Sequence, residues 1–196
     1  MKGLILCGGL GTRLRPLTHT QAKHLLPVAN KPILYYALEA LADAGIKDIA
    51  IIVGANRTEL EAAVGQGKAF GARVSYLMQE KPLGLAHAVS LAQDFVGADP
   101  FVVYLGDNLI GGGISDFVRD FRDCQCEAMT LLSHVKEPQR FGIALLGDQN
   151  EVIRFIEKPK QPESDLAIVG VYAFTNRIFD KISQLKPSAR GELELT

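Results

Sequence analysis

An apolar run, Leu4-Ile5-Leu6-Cys7, breaks into Gly8-Gly9-Leu10-Gly11-Thr12, and these give way to Arg13 and Arg15. Glycine lets backbone N–H groups crowd around an anion, because no Cβ is in the way. Arginine adds a fixed positive charge with planar donors that match phosphate oxygens. Lys23 follows within Gln21-Ala22-Lys23-His24-Leu25-Leu26-Pro27. Together these residues suit a polyphosphate.

Two common phosphate motifs fail at their defining positions. A dinucleotide fingerprint requires G-x-G-x-x-G opening a helix, with an acidic residue about 20 residues further on. Gly9 and Gly11 fit, but Leu14 stands where the third glycine belongs, and residues 23–31 contain no acid. A Walker loop requires Gly-Lys followed by Ser or Thr, whereas Gly67-Lys68 is followed by Ala69.

Two further groups follow apolar runs, at strand ends where parallel sheets hold their ligands. Asp107 comes directly after Phe101-Val102-Val103-Tyr104-Leu105-Gly106. A carboxylate there can hold Mg²⁺ while substrate phosphates supply other ligands, or it can simply cap a turn. Gln79 carries an amide able to pair with the imide edge of a pyrimidine, and Gly84 could let a base or ribose approach the backbone. In the second half, Glu157 can accept from paired sugar hydroxyls and Lys158 can attract a sugar phosphate. A weak surface ion pair is the plain alternative for those two. His19, His24, His87 and His134 show no ligand spacing and read as ordinary surface or core histidines. Nothing resembles a Ser/His/Asp arrangement.

The elements that must position these groups come from hydrophobic pattern. Continuous apolar runs at 4–6, 49–53, 74–78 and 101–105 read as strands buried on both faces. Helices are expected at 32–44, with Gly45 as its stop, from Thr58 with Thr58-x-x-Glu61 as a capping box, at 85–95 and at 114–123. This alternation implies a mostly parallel, Rossmann-like α/β sheet flanked by helices. After Cys126 the pattern changes to strands at 128–132, 143–146, 152–156 and 168–174, with a turn at Gly147-Asp148-Gln149-Asn150. This mixed, more antiparallel part should attach to the first sheet without a linker. A helix at 177–184 follows. The ending, Gly191-Glu192-Leu193-Glu194-Leu195-Thr196, carries no stop signal and reads as cut in mid-element.

Composition narrows the function classes. The 196 residues are 47% apolar, which is globular, and 21 basic residues balance 22 acidic ones. A nucleic-acid binder normally shows a basic excess, so nucleic acid is not an expected partner. No run reaches the ~18 apolar residues of a membrane span, and the first run is too short for a signal peptide, so no membrane is expected either. The three cysteines include Cys124-Gln125-Cys126, which is not a zinc spacing. Idle thiols in a reducing cytoplasm are the expectation.

Taken in order, these stretches resemble the sugar-phosphate nucleotidyltransferases over nearly the whole chain. Gly8-Gly9-x-Gly11-Thr12-Arg13-Leu14-x-Pro16-x-Thr18 is similar to that family's signature loop, and Lys23-x-Leu25-x-Pro27-Val28 to its second block. Pro82-Leu83-Gly84-Leu85-Ala86-His87-Ala88, Leu105-Gly106-Asp107-Asn108, Phe141-Gly142, Glu157-Lys158-Pro159, Val169-Gly170-Val171-Tyr172 and Arg190-Gly191-Glu192-Leu193-Glu194 continue the likeness.

The resemblance implies transfer of a nucleotidyl group from a nucleoside triphosphate to a sugar 1-phosphate, with Mg²⁺ as cofactor. Among family members, those using dTTP and glucose 1-phosphate are the most similar. UTP-dependent uridylyl transfer and a non-catalytic sugar-nucleotide-binding regulatory module are the alternatives. By resemblance, Gly8, Gly9, Gly11 and Thr12 line the phosphates, and Arg13 meets the leaving pyrophosphate. Lys23 serves the reacting centre, Leu6, Gln79 and Gly84 surround the base, and Asp107 holds the metal. Gly142, Glu157 and Val169 hold the hexose, and Lys158 its phosphate. Residues 1–126 would form a nucleotide-binding half and 127–196 a sugar-binding half of one catalytic domain. The family supplies a second metal-binding aspartate from beyond a position like Thr196, so a domain truncated at its C-terminus is expected. No interface can be read from the sequence, and the family allows a homo-oligomer.

Overall fold

The structure, a computed structural model, describes residues 1–9, 11–188 and 191–195. Leu10 of the glycine loop, and Ala189, Arg190 and Thr196 near the end, lie outside the described residues. The strands are β1 (Lys2–Leu6), β2 (Pro27–Val28), β3 (Lys31–Pro32), β4 (Asp48–Val53), β5 (Arg73–Met78), β6 (Phe101–Leu105), β7 (Ala128–His134), β8 (Gly142–Leu146), β9 (Val152–Glu157) and β10 (Leu166–Phe174). The helices are α1 (Ile33–Asp43), α2 (Arg57–Val64), α3 (Leu85–Ser90), α4 (Gln93–Val96), α5 (Ser115–Asp123) and α6 (Ile178–Ile182).

One sheet runs β5-β4-β1-β6-β10-β8-β9, with β7 paired to β10, while β2 and β3 form a separate pair. β5, β4, β1 and β6 are parallel. From β10 onward every pairing is antiparallel. The second half is therefore built onto the first sheet, as its sequence suggests. β10 makes the join: its last residues pair with β6, while Ala167 pairs with Ile143 of β8.

Alternation along the central strands feeds two cores. Ile5, Ile49, Ile51 and Tyr104 face α1, α2 and α5 through Leu34, Leu38, Leu60 and Phe117. Leu4, Leu6, Ile52 and Val103 face α3, α4 and α6 through Val89, Val96 and Phe179. Two buried faces explain why these strands lack polar alternation. Among the described residues, no helix is long and apolar enough to cross a membrane.

Four expectations are corrected. β5 is an edge strand, with Arg73, Ser75 and Met78 exposed, so residues 74–78 are not buried on both faces. The helix expected at 85–95 breaks between α3 and α4, where Ala92 N–H donates to Val89 O at 3.0 Å, a tightened turn. Thr58 is no cap: α2 begins at Arg57, and Glu61 pairs with Arg57 at 2.7 Å instead of reaching back. The preceding Asn56 is committed elsewhere, its amide donating to Cys7 O at 2.9 Å and its oxygen accepting from Gly54 N–H. Finally, Cys124 and Cys126 are joined as a disulfide rather than idle. The chain leaves α5 extended at Cys124, and the two Cα atoms lie 5.2 Å apart, within bridging range. Cys7 is a free, buried thiol, and for it the expectation of an idle thiol stands.

Candidate active site

Strand order reverses at β1, which has β4 on one side and β6 on the other. Helices packed on opposite faces leave a crevice at such a point, beyond the carboxyl ends of the strands. The ladder overruns those ends: Cys7 N–H donates to Ile52 O, Gly106 N–H to Leu6 O and Gln79 N–H to Val53 O. The segments starting at Gly8, Gln79 and Asp107 are thereby fixed side by side.

They enclose a cleft of about 260 Å³ lined by Leu6, Gly8, Gly9, Lys23, Gln79, Gly84, Leu85, Asp107 and Glu192, among others. A second cleft, of about 540 Å³, is lined by Gly9, Gly11, Thr12, Arg13, Leu14, Lys23, Asp107 and Glu192. The two share Gly9, Lys23, Asp107 and Glu192. Every expected nucleotide-side residue thus borders one continuous region. Leu6 and Gln79 form its buried floor, while Thr12 and Arg13 stand exposed at its rim. Thr18 ties the loop down, its hydroxyl donating to Gly11 O at 2.7 Å.

Two glycines make close approaches, to a side-chain end at Gly8 and to backbone at Gly84, where glycine is required. A Cβ on Gly8 would meet Gln79 Oε1 at 2.6 Å. Gly84 has φ 109° and its Cβ would meet the Leu193 backbone oxygen at 2.4 Å. Leu193 N–H donates to Leu83 O at 2.8 Å, and Ala86 N–H donates to Leu193 O at 2.9 Å. The close approach that Gly84 permits is therefore made by the chain's own closing segment. That segment carries Glu192 into both clefts. Sequence reasoning gave Glu192 no role, because nothing local in Gly-Glu-Leu-Glu-Leu says which segment it will lie across.

Lys23 and Asp107 meet at the centre, Nζ to Oδ2 at 2.5 Å. Burial raises the Asp107 carboxyl, but the Lys23 charge and hydrogen bond, with His24 and the Asn108 amide, more than offset it, so its pKa lies below the ordinary value. Asp107 is therefore an anion facing a cation. Among the described residues, no cluster of three or more His, Cys, Asp or Glu side chains could hold a metal. The donor set still fits Mg²⁺, which commonly takes one or two carboxylates and fills its remaining positions with phosphate oxygens and water. The Lys23 ammonium already occupies the position of a cation on Asp107.

His24 lies beneath this pair, 1% exposed, with no partner for its Nδ1 among the described residues. Burial, then the neighbouring Lys23 charge, lowers its pKa to about 4. The unfolded chain binds this proton near pH 6.5, so between that value and about 4 unfolding takes up a proton and stability falls as pH falls. The full effect is on the order of 3 kcal/mol. Urea midpoints of the metal-free protein are expected to drop from pH 6.5 to 4, and His24→Leu to flatten that slope. An unchanged slope in His24→Leu would remove His24 as the cause.

The expected sugar-side residues gather separately. Gly142 and Glu157 face each other across β8 and β9. A Cβ on Gly142 would come 2.9 Å from Glu157 Oε2. Lys158 Nζ donates to Glu157 Oε1 at 2.6 Å, and burial, then the Glu157 charge, raises Tyr172 to about 12. Val169 lies where β10 shifts register against β7, between Ile168 and Tyr172. These four line neither cleft. Their link to it is Asn108, whose amide donates to Asp107 Oδ1 at 3.1 Å and whose oxygen accepts from Gly170 N–H at 3.4 Å. The bridging position of Asn108 depends on β10 crossing beside β6.

Residues 2–196 match the nucleotidyl transferase family. The chain belongs to that family. It is 54% identical over its whole length to a glucose-1-phosphate thymidylyltransferase of Streptomyces griseus, and 55% identical to one of Streptomyces antibioticus. It spans 55% of the length of each of these curated relatives. A solved Bacillus anthracis structure, assigned as a glucose-1-phosphate thymidylyltransferase and containing sucrose, superposes with TM-score 0.94 at 43% identity, covering all of this chain and 80% of that one. A UDP-glucose pyrophosphorylase solved with UDP-glucose superposes with TM-score 0.85 at 28% identity, covering 100% of this chain and 83% of the other. The family resemblance and the Rossmann-like α/β fold read from the sequence both hold.

Proposed function

We propose that this chain carries the site that transfers thymidylyl from dTTP to glucose 1-phosphate, releasing pyrophosphate. The observation that carries this reading is the cleft at the β1 switch point, where the glycine loop, Lys23 and Asp107 converge. The relatives' names favour dTTP and glucose 1-phosphate as the substrate pair.

A sugar-phosphate oxygen attacks the α-phosphorus, the new P–O bond forms, and the bond from the α-phosphorus to the bridging oxygen breaks. A phosphate monoester is already an adequate nucleophile, so the protein's tasks are positioning and charge neutralisation. Gly8, Gly9, Gly11 and Thr12 would contact phosphates through backbone N–H groups. Arg13 at the rim would meet the departing pyrophosphate, and Lys23 the α-phosphate region. Gln79 and Leu6 would hold the base. Asp107 would hold Mg²⁺, which when bound supplies charge neutralisation on the triphosphate. Gly142, Glu157 and Val169 would take the hexose, and Lys158 its phosphate. In this reading residues 1–126 serve the nucleotide and 127–196 the sugar.

The test is pyrophosphate release with glucose 1-phosphate and Mg²⁺, comparing dTTP with UTP in a folded preparation that includes this chain. Faster release with dTTP is expected. A preference for UTP would reassign the nucleotide, and tight binding without release would support a regulatory module.

A further inference from the structure

Gln79 is buried, and its amide nitrogen has two neighbours. Nε2 lies 2.9 Å from His87 Nδ1 and 3.4 Å from Gly84 O. A carbonyl can only accept, so the nitrogen end of the amide must face Gly84. His87 Nδ1 must then accept as well, which puts the neutral imidazole's proton on Nε2. The amide oxygen is left on the Gly8 side, 2.6 Å from where a Gly8 Cβ would stand, at the floor of the cleft. His87 itself does not line that cleft; it borders a separate hollow with Met78, Lys81 and Leu91.

Which end of the Gln79 amide faces the cleft decides which pyrimidine it can meet. Thymine and uracil present an N–H at N3, which needs an acceptor. Cytosine presents a bare nitrogen at N3, which needs a donor. We propose that His87 is a positioning residue that locks the Gln79 amide with its oxygen toward the cleft, so that the site selects 2,4-dioxopyrimidine nucleotides over 4-aminopyrimidine ones. This rests on the nucleotide-binding reading above and adds the residue that sets its hydrogen-bond sense. A polar site turned the wrong way leaves buried groups unpaired, so discrimination of about 100-fold is within reach of one amide.

Equilibrium binding of dTTP and dCTP to the wild-type chain and to two variants tests it. His87→Asn can keep an acceptor near the Nδ1 position; His87→Leu removes the 2.9 Å contact and leaves the amide held only by the longer 3.4 Å contact to Gly84 O, from which it can turn. Wild type should favour dTTP, His87→Asn should keep that ratio, and His87→Leu should lower it at least tenfold, chiefly by admitting dCTP. An unchanged ratio in folded His87→Leu overturns the proposal while leaving the nucleotide reading intact. Failure of wild type to bind dTTP overturns both. Should His87→Leu not fold, ¹⁵N NMR of wild type decides instead: an Nε2–H tautomer at His87 supports the lock, and an Nδ1–H tautomer overturns it.

Discussion

Lys23→Ala should lower pyrophosphate release at least ~100-fold at saturating dTTP, the scale seen when a donor aimed at developing charge is removed. Two anions must meet in the proposed reaction, the α-phosphate and the sugar phosphate, and Lys23 is the cation at the point where the two clefts join. Arg13 is also available, but it stands exposed at the rim. The same change has a second consequence, readable without turnover. Asp107 would lose its ammonium partner at 2.5 Å. A divalent cation should then bind the nucleotide-free chain several-fold more tightly, because nothing competes for the carboxylate. Mn²⁺ titration followed by electron paramagnetic resonance measures this. Near-wild-type turnover together with unchanged Mn²⁺ affinity would show that the contact carries neither role.

The parts of this site that were legible in the sequence are those set by short-range pattern. Gly8, Gly9 and Asp107 follow continuous apolar runs, and a run buried on two faces identifies its strand without any tertiary information. The strand-to-loop junctions therefore came out correctly, and with them most of the cleft wall. What was hidden depends on which segments lie side by side. Glu192 enters the cleft only because Leu193 hydrogen-bonds to Leu83 and Ala86. His87 meets Gln79 only because the start of α3 turns back against the end of β5. Asn108 becomes a bridge only once β10 joins β6. Histidines without ligand spacing read as ordinary, yet His24 and His87 both lie against site residues. Spacing rules find metal ligands and are silent on a ring that orients a neighbour.

Thr58 and β5 show the opposite error, where a local signal was present and lost. Thr58-x-x-Glu61 has the right letters for a capping box, but Asn56 is already tied to Cys7 and Gly54, which fixes the start of α2 one residue earlier. The apolar letters of Val74, Tyr76, Leu77 and Met78 suggested a central strand. Their place at the sheet edge is decided by strand order, which no short window encodes.

Asp107→Asn should be the companion loss, with turnover down by at least ~100-fold and nucleotide affinity shifted in opposite directions with and without metal. Without metal, the wild-type cleft holds an anion directly against Lys23, and a triphosphate must displace it. Removing that anion frees Lys23 for phosphate, so metal-free dTTP should bind roughly tenfold more tightly. With Mg²⁺ present, the wild-type chain should gain affinity from a carboxylate that the amide cannot replace, and that gain should vanish in the variant. Asparagine keeps the shape and can still meet Asn108, so the fold should survive. Calorimetric titration of dTTP with EDTA and then with Mg²⁺ reads both signs on one protein. A loss of affinity under both conditions would mean that Asp107 shapes the cleft rather than choosing its ion, and the metal role proposed for it would fall.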